Sequence, residues 1–142
     1  MEKWQIEANN LRAQKPKHIL FLCVANSARS QMAEGIARSL APASVTVSSA
    51  GSAPSSVNPL SIEILKEIGI DISHHISKGV GSLLGVEAVI TLCADEVCPV
   101  FPGKATRLHW GLPDPVGIEG FRSIRDELKL RLQFLFKDWE TK

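Results

Sequence analysis

Apolar runs of strand length alternate with stretches of helical period along most of this chain. Lys17 to Cys23 is nearly continuously apolar, as expected of a central parallel strand buried on both faces. After Ser30, Met32, Ala33, Ile36, Ala37 and Leu40 recur at helical spacing, and Pro42 lies beyond them. Val45 to Ser49 reads as a second strand, followed by an Ala50-Gly51 turn. Asn58-Pro59 is a cap and first-turn pair for a helix carrying Leu60, Ile64, Leu65 and Ile68, with Gly69 as its stop. Asp71 to Ser77 is polar and turn-like, and Ser82 to Leu84 suits a short helical turn. Val86 to Leu92 is a third strand, ending at Cys93, and Lys104 to His109 a shorter fourth one before the Pro113-Asp114-Pro115 turn. A last helix, Ile118 to Trp139, sets Phe121, Ile124, Leu128, Leu132, Leu135 and Trp139 on one side. Strands alternating with helices predict a doubly wound α/β sheet. Residues 1–16 lack a clean stripe and read as an N-terminal appendage, a helix docked on a single domain of residues 17–142.

Composition changes this picture little. The 142 residues suit one domain with a real core, and a net charge of +1 gives no reason to expect a nucleic-acid partner. No apolar run approaches the roughly 18 residues of a membrane span, and the first residues lack the apolar centre of a signal peptide. A cytoplasmic location is the default expectation. Three cysteines, an odd number, do not make a disulfide framework and suit catalytic, redox or metal-binding use in a reducing compartment.

The chemistry gathers where the first strand ends. Cys23 is followed by Val24, Ala25, Asn26, Ser27, Ala28, Arg29 and Ser30, a polar loop running into a helix. Backbone amides of such a loop converge on an anion, and the helix N-terminus adds positive potential. The same field favours a thiolate, and an arginine grips two oxygens of a tetrahedral oxyanion. Cys23 therefore reads as a nucleophile in an oxyanion cradle, against the plainer alternative of a buried structural cysteine. Ligands of such sheets sit beyond the carboxyl ends of the strands, where both Cys23 and Cys93 fall. Cys93 and Cys98, five positions apart, would be offset by about 140° on a helix, so a bridge between them needs local unwinding. A zinc pair and two inert buried cysteines are the alternatives. Asp114, in an Asp-Pro turn, is a carboxyl able to protonate a leaving oxygen.

With these residues assembled, the chain resembles the low-molecular-weight arsenate reductases, which share the fold of low-molecular-weight tyrosine phosphatases. The resemblance runs from His18 to about Leu135. It rests on Cys23-x5-Arg29-Ser30-Gln31-Met32-Ala33-Glu34-Gly35, Ser49-Ala50-Gly51, Asp71-Ile72-Ser73, Thr91-Leu92-Cys93, Cys98-Pro99, His109-Trp110-Gly111 and Asp114-Pro115. It implies a three-layer α/β sandwich on a four-stranded parallel sheet of flavodoxin-like type. It also implies that Cys23 attacks arsenate, that Arg29 and the loop 24–29 hold its oxygens, and that Asp114 protonates the departing oxygen. Ser30 would hydrogen-bond the Cys23 sulfur, and Asn26 shape the loop. Cys93 would then attack Cys23 and release arsenite, and Cys98 would resolve the product to a Cys93–Cys98 disulfide for thioredoxin to reduce. Other relatives use glutaredoxin with glutathione, or mycothiol. No cofactor and no resident metal are implied, and a monomer is expected.

This chain departs from the family in places. Ala25 stands where glycine is common, Ala28 where some relatives carry another cysteine, and Cys93 and Cys98 are closely spaced. Some relatives bind potassium through the equivalents of Asn26, Glu34, Ser49 and an acidic residue. Lys78 aligns with the acidic one, so its ammonium is expected to pair with Glu34 in a vestigial potassium site, the plainer alternative being a solvated loop lysine. Val116-Gly117 follows Asp114-Pro115 where the phosphatases place tyrosines, and the chain has no tyrosine. A phosphatase using Cys23, Arg29 and Asp114 alone, and a non-catalytic oxyanion-binding or redox-sensing protein, are the competing functions.

Overall fold

The structure, a computed structural model, describes residues 1–94, 101 and 103–139. The chain runs α1 (Lys3–Gln14), β1 (His18–Cys23), α2 (Arg29–Leu40), β2 (Thr46–Gly51), α3 (Pro59–Lys66), a 3-10 turn (Val80–Ser82), β3 (Ala88–Thr91), β4 (Thr106–His109) and α4 (Gly117–Phe136). The strands form one parallel sheet in the order β2-β1-β3-β4. β1 is thus an inner strand flanked on both sides, which is why it is apolar and buried from Ile19 onward. The order reverses beside it, and a crevice opens there at the carboxyl ends of the strands.

Alternate residues of each strand serve opposite faces. Ile19, Phe21, Val47, Ala88, Ile90 and Leu108 join the larger cluster, which the four α-helices cover. Leu20, Leu22, Ala50 and Val89 meet Val80, Leu83 and Phe101 on the other face. The helical stripe of α4 is the one read in the sequence, with Phe121, Ile124, Leu128, Leu132 and Leu135 all buried. Asn58 caps α3 by accepting a hydrogen bond from the Leu60 amide, and Pro59 takes the first turn.

Several boundaries move. β2 continues through Ala50 to Gly51, because Gly51 pairs with Cys23 and its amide donates to the Lys78 carbonyl, so the expected turn is strand. α3 ends at Lys66, leaving Ile68 outside it, and the left-handed turn falls at Gly69. The 3-10 turn begins at Val80 rather than Ser82. β3 and β4 are shorter than their apolar runs. α4 stops at Phe136, and Trp139 reaches the core from beyond it, past a left-handed Asp138.

The first residues form a full helix, although their sequence shows almost no stripe. Ala8 and Leu11 are its two fully buried side chains. Trp4 packs edge-on against Phe134 at 5.3 Å and Trp110 at 6.2 Å, with the Arg131 guanidinium over its ring. Arg12 donates to the carbonyls of Phe134 and Leu135 in the last turn of α4, the first of which also accepts from the Lys137 amide. Aromatic packing and one arginine thus hold α1, which a count of apolar positions does not reveal.

Candidate active site

At the end of β1 the chain leaves the sheet and wraps around a cavity of about 380 Å³. Cys23, Val24, Ala25, Ser27, Ala28 and Arg29 line it together with Ser55, Asn58, Asp114, Pro115 and Phe121. The loop carbonyls are held from outside. Val24 O accepts from the Ala53 amide, Ala25 O from the Ser55 amide and Ser77 Oγ, Asn26 O from Gln31 Nε2, and Ser27 O from the Asn58 amide. In a trans peptide the following N–H points opposite to the C=O. Four successive amides, those of residues 25–28, are thereby turned toward the cavity. This is an anion cradle built from backbone.

Two local features make the loop possible. Asn26 takes the left-handed conformation, φ 51°, while Ala25 does not, so the missing glycine at position 25 costs nothing. Asparagine is among the side chains that best tolerate this region. On β2, a Cβ at Gly51 would overlap the Val24 carbonyl oxygen and stand 2.9 Å from the Asn26 amide nitrogen. Glycine there lets the loop backbone press onto the neighbouring strand.

Behind the cradle runs a buried polar network. Ser30 Oγ lies 2.8 Å from Cys23 Sγ and accepts from Asn26 Nδ2 at 2.8 Å. Asn26 Nδ2 also reaches Ser49 Oγ at 3.0 Å, and Ser49 donates to Glu34 Oε1 at 2.5 Å. Glu34 is buried, with Arg38 at 2.8 Å and Lys78 Nζ at 3.4 Å. Asn26 is therefore not on the cavity wall; it fixes the loop from beneath. Gln31 and His75 extend the network. Gln31 Nε2 donates to Asn26 Oδ1 and the Ile76 carbonyl, and His75 Nδ1 sits 2.9 Å from Gln31 Oε1. Burial pushes the His75 pKa down, against the pull of Glu34.

Arg29 is buried at the start of α2. Its Nη1 donates to the Leu112 carbonyl at 2.8 Å and reaches the Leu92 carbonyl at 3.4 Å, and its Nη2 stands 3.7 Å from Asp114 Oδ1. Asp114 is three-quarters exposed at the cavity mouth, where a carboxyl exchanges protons with solvent. Cys23 is a free thiol, whereas Cys93, buried two residues past β3, is held in a disulfide. The structure thus brings Cys23, Arg29, Ser30 and Asp114 together. Cys93 lies at the end of the adjacent strand, off the cavity wall. The reading of Cys98, and of the segment that joins it to Cys93, falls on residues 95–98, outside the described residues. Ser55, Asn58 and Phe121 on the wall, and His75 behind it, carry no local signal of the site in the sequence, because segments far along the chain bring them there, whereas Gln31 adjoins Ser30 in the motif itself.

The model of the family described as low molecular weight phosphotyrosine protein phosphatase matches residues 18–142. The chain belongs to this family. Within it, an arsenate reductase 1 of Staphylococcus epidermidis is 44% identical over 123 residues, covering 82% of this chain and 93% of that protein. A solved structure described as an arsenate reductase in the phosphate binding state superposes with TM-score 0.75 at 36% identity, covering 84% of this chain and 96% of that one. The thioredoxin-dependent arsenate reductase of Corynebacterium glutamicum is 34% identical at TM-score 0.69. That match covers 96% of this chain and 70% of the other, so it takes in most of α1, which lies outside the family model. Among the described residues no helix is long and apolar enough to cross a membrane.

Proposed function

We propose that this protein reduces arsenate to arsenite by a thiol relay and is regenerated by thioredoxin in the cytoplasm, residues 17–142 forming the catalytic domain and residues 1–16 an appendage braced on α4. The carrying observation is the pairing of two differently disposed cysteines at adjacent strand ends: Cys23, free in an anion cradle, and Cys93, already in a disulfide. A phosphoryl-transfer enzyme needs only the first. Two-electron reduction of an oxyanion needs both, and the similarity to arsenate reductases agrees.

In this reading the Cys23 thiolate attacks arsenate while residues 24–29 and the Arg29 guanidinium hold its oxygens. Asp114 protonates the oxygen that leaves as water. The Cys93 thiolate then attacks Cys23 Sγ, an S–S bond forms, and the electron pair of the broken S–As bond stays on arsenic, which departs as arsenite. Cys98 attacks Cys93, frees Cys23, and leaves a disulfide that the thioredoxin dithiol reduces. The Lys78 ammonium pairs with Glu34, to which Ser49 donates, and the Lys78 backbone amide donates to Asn26; we read this ammonium as an internal substitute for a bound potassium ion.

The test follows NADPH loss with arsenate, thioredoxin and thioredoxin reductase. Cys23→Ser, Cys93→Ser and Cys98→Ser should each abolish steady turnover. Cys98→Ser should still release about one arsenite per protein in a single turnover. The second reading, phosphomonoester hydrolysis, is favoured by Cys23, Arg29 and Asp114 lining one cavity. It prevails if Cys93→Ser and Cys98→Ser keep full activity and an aryl phosphate is hydrolysed quickly. If neither substrate is turned over while arsenate raises the melting temperature, the protein is a binding module.

A further inference from the structure

α1 has no residue in the chemistry above, yet its packing leads to the cavity. Trp110 is the largest of the fully buried side chains, and among the described residues its Nε1 meets no acceptor. A buried indole N–H ordinarily finds one. No side-chain hydrogen bond fixes this ring, so packing must. Trp4 of α1 stands edge-on to it at 6.2 Å. The Arg131 guanidinium of α4 lies 5.7 Å from the centre of the Trp110 ring and 5.2 Å from that of Trp4, so two indoles from distant parts of the chain share one cation. Glu127 accepts from Arg131 Nε at 2.6 Å and steadies it there.

The backbone of Trp110 begins a ribbon that runs to Asp114. The Trp110 and Leu112 amides donate to the Thr91 and Leu92 carbonyls, continuing the pairing of β4 with β3 past both strands. The Leu112 carbonyl accepts from Arg29 Nη1 at 2.8 Å, and Asp114, two residues on, stands 3.7 Å from Arg29 Nη2. A guanidinium is a rigid fork, so the acceptor that takes one nitrogen sets the direction of the others. The ring under α1 and the arginine of the cradle are thus two residues apart on one ribbon.

We infer that α1 is a positioning element of the oxyanion site, in which Trp4 acts through Trp110 and the Leu112 carbonyl on the Arg29 guanidinium. The inference rests on the cradle as a site for a tetrahedral oxyanion, not on the thiol relay, and it holds for phosphate as for arsenate. When Trp4 is truncated, α1 stays docked through Ala8, Leu11 and the Arg12 bonds to the Phe134 and Leu135 carbonyls. What changes is Trp110. Its ring gains room, and a donor with no acceptor inside gains by turning toward water. That turn draws on the ribbon, the Leu112 carbonyl shifts off Nη1, and the fork loses the alignment that lets it take two oxygens of one anion. The cradle amides of residues 25–28 are braced separately, by the Ala53, Ser55 and Asn58 amides on the loop carbonyls, so they keep their place.

The test titrates inorganic phosphate into the full chain with its Cys93 disulfide intact and Cys23 free, following the amide NMR signals of residues 25–28. Deuterium exchange of the Leu112 amide is read on the same samples. Trp4→Ala is expected to weaken phosphate binding about tenfold and to speed Leu112 exchange, whereas Trp4→Phe, which keeps a ring against Trp110, should stay within about twofold of wild type. Arg131→Gln, which leaves both indoles in place, should weaken binding about threefold. In an Arg29→Lys chain, which has lost the fork, neither Trp4→Ala nor Arg131→Gln should change the affinity by more than about twofold. Should Trp4→Ala not fold, Arg131→Gln with Arg29→Lys completes the same cycle. A phosphate affinity of Trp4→Ala within about twofold of wild type would overturn the inference. So would an equal loss in the Arg29→Lys chain, because a residue that merely stabilises the fold weakens both chains alike. Either failure leaves the cradle standing. If the wild type itself takes no phosphate, the cradle falls and this inference falls with it.

Discussion

Ser30 has a single hydroxyl proton, and its surroundings decide where that proton goes. Asn26 Nδ2 donates to Ser30 Oγ, so one lone pair is occupied and the O–H is left for Cys23 Sγ at 2.8 Å. A hydrogen bond to an ionised partner contributes about 1.5–3 kcal/mol, and this one is buried. Ser30→Ala is accordingly expected to slow iodoacetamide alkylation of Cys23 at pH 7 about tenfold, the equivalent of about 1.4 kcal/mol. The melting temperature should move by only a few degrees, since the deleted group is small. An alkylation rate within twofold of wild type would mean that the cradle amides alone sustain the thiolate. Asn26→Ala should act in the same direction and more strongly, because it releases both the serine and the left-handed turn.

The same network shows how far the chemistry was legible before the structure. Cys23, Arg29 and Ser30 are close in sequence, and one strand-loop-helix pattern presents them together. α3 with its Asn58 cap and α4 follow from periodicity because each buries one stripe, whereas α2 is read from its apolar spacing although every residue from Arg29 to Ala37 is buried. α1 does not, since its anchors are a tryptophan on two aromatic rings and an arginine on the carbonyls of α4. Nor does the extension of β2 to Gly51, which depends on the approach of the Cys23 loop and the Lys78 carbonyl. The segment 71–79 is similar. It reads as polar loop, yet it ties α2 to the site, because the Lys78 amide donates to Asn26 Oδ1 and the Lys78 ammonium meets buried Glu34. With Arg38 on the other carboxylate oxygen, Glu34 is satisfied by two cations of the chain itself. Exchange of Na+ for K+ should therefore leave both activity and melting temperature of the wild type unchanged. Lys78→Asp should make them depend on K+, by leaving Glu34 and a second carboxylate facing Ser49 and Asn26. A strong K+ effect on the wild type would show that the ammonium does not fill this place.

Across the whole molecule, the helical layer is held to itself by charge as well as by apolar packing, and this sets its response to acid. Glu67, at the end of α3, accepts from Arg122 at 2.7 Å and Arg125 at 2.7 Å, both on α4. The Arg122 hydrogen bond first, and the Arg125 one next, hold the Glu67 pKa at about 2, against an ordinary 4.5. Asp71, in the turn after Gly69, is also lowered, by the hydroxyl and amide of Ser73. For such carboxylates the unfolded chain takes up protons first. Their stabilisation is complete above the unfolded value and is lost as pH falls from about 4.5 toward 2. His75 works in a higher window. Burial lowers its pKa, so the unfolded chain again binds the proton more readily, and stability drains away as pH falls below the ordinary 6.5. Both effects have the same sign, and they separate by range. The melting temperature should be flat from pH 8 to 7, decline gently through pH 6, and decline more steeply below pH 4.5. Glu67→Gln should flatten the lower limb while leaving the upper one, and His75→Gln should do the reverse. The Glu67 site is open to solvent, so 0.5 M salt should shrink its limb and spare that of the half-buried histidine. If Glu67→Gln leaves the slope below pH 4.5 intact, the junction of α3 with α4 is held by Ile64, Leu65 and their apolar neighbours, and the ion pairs merely decorate it.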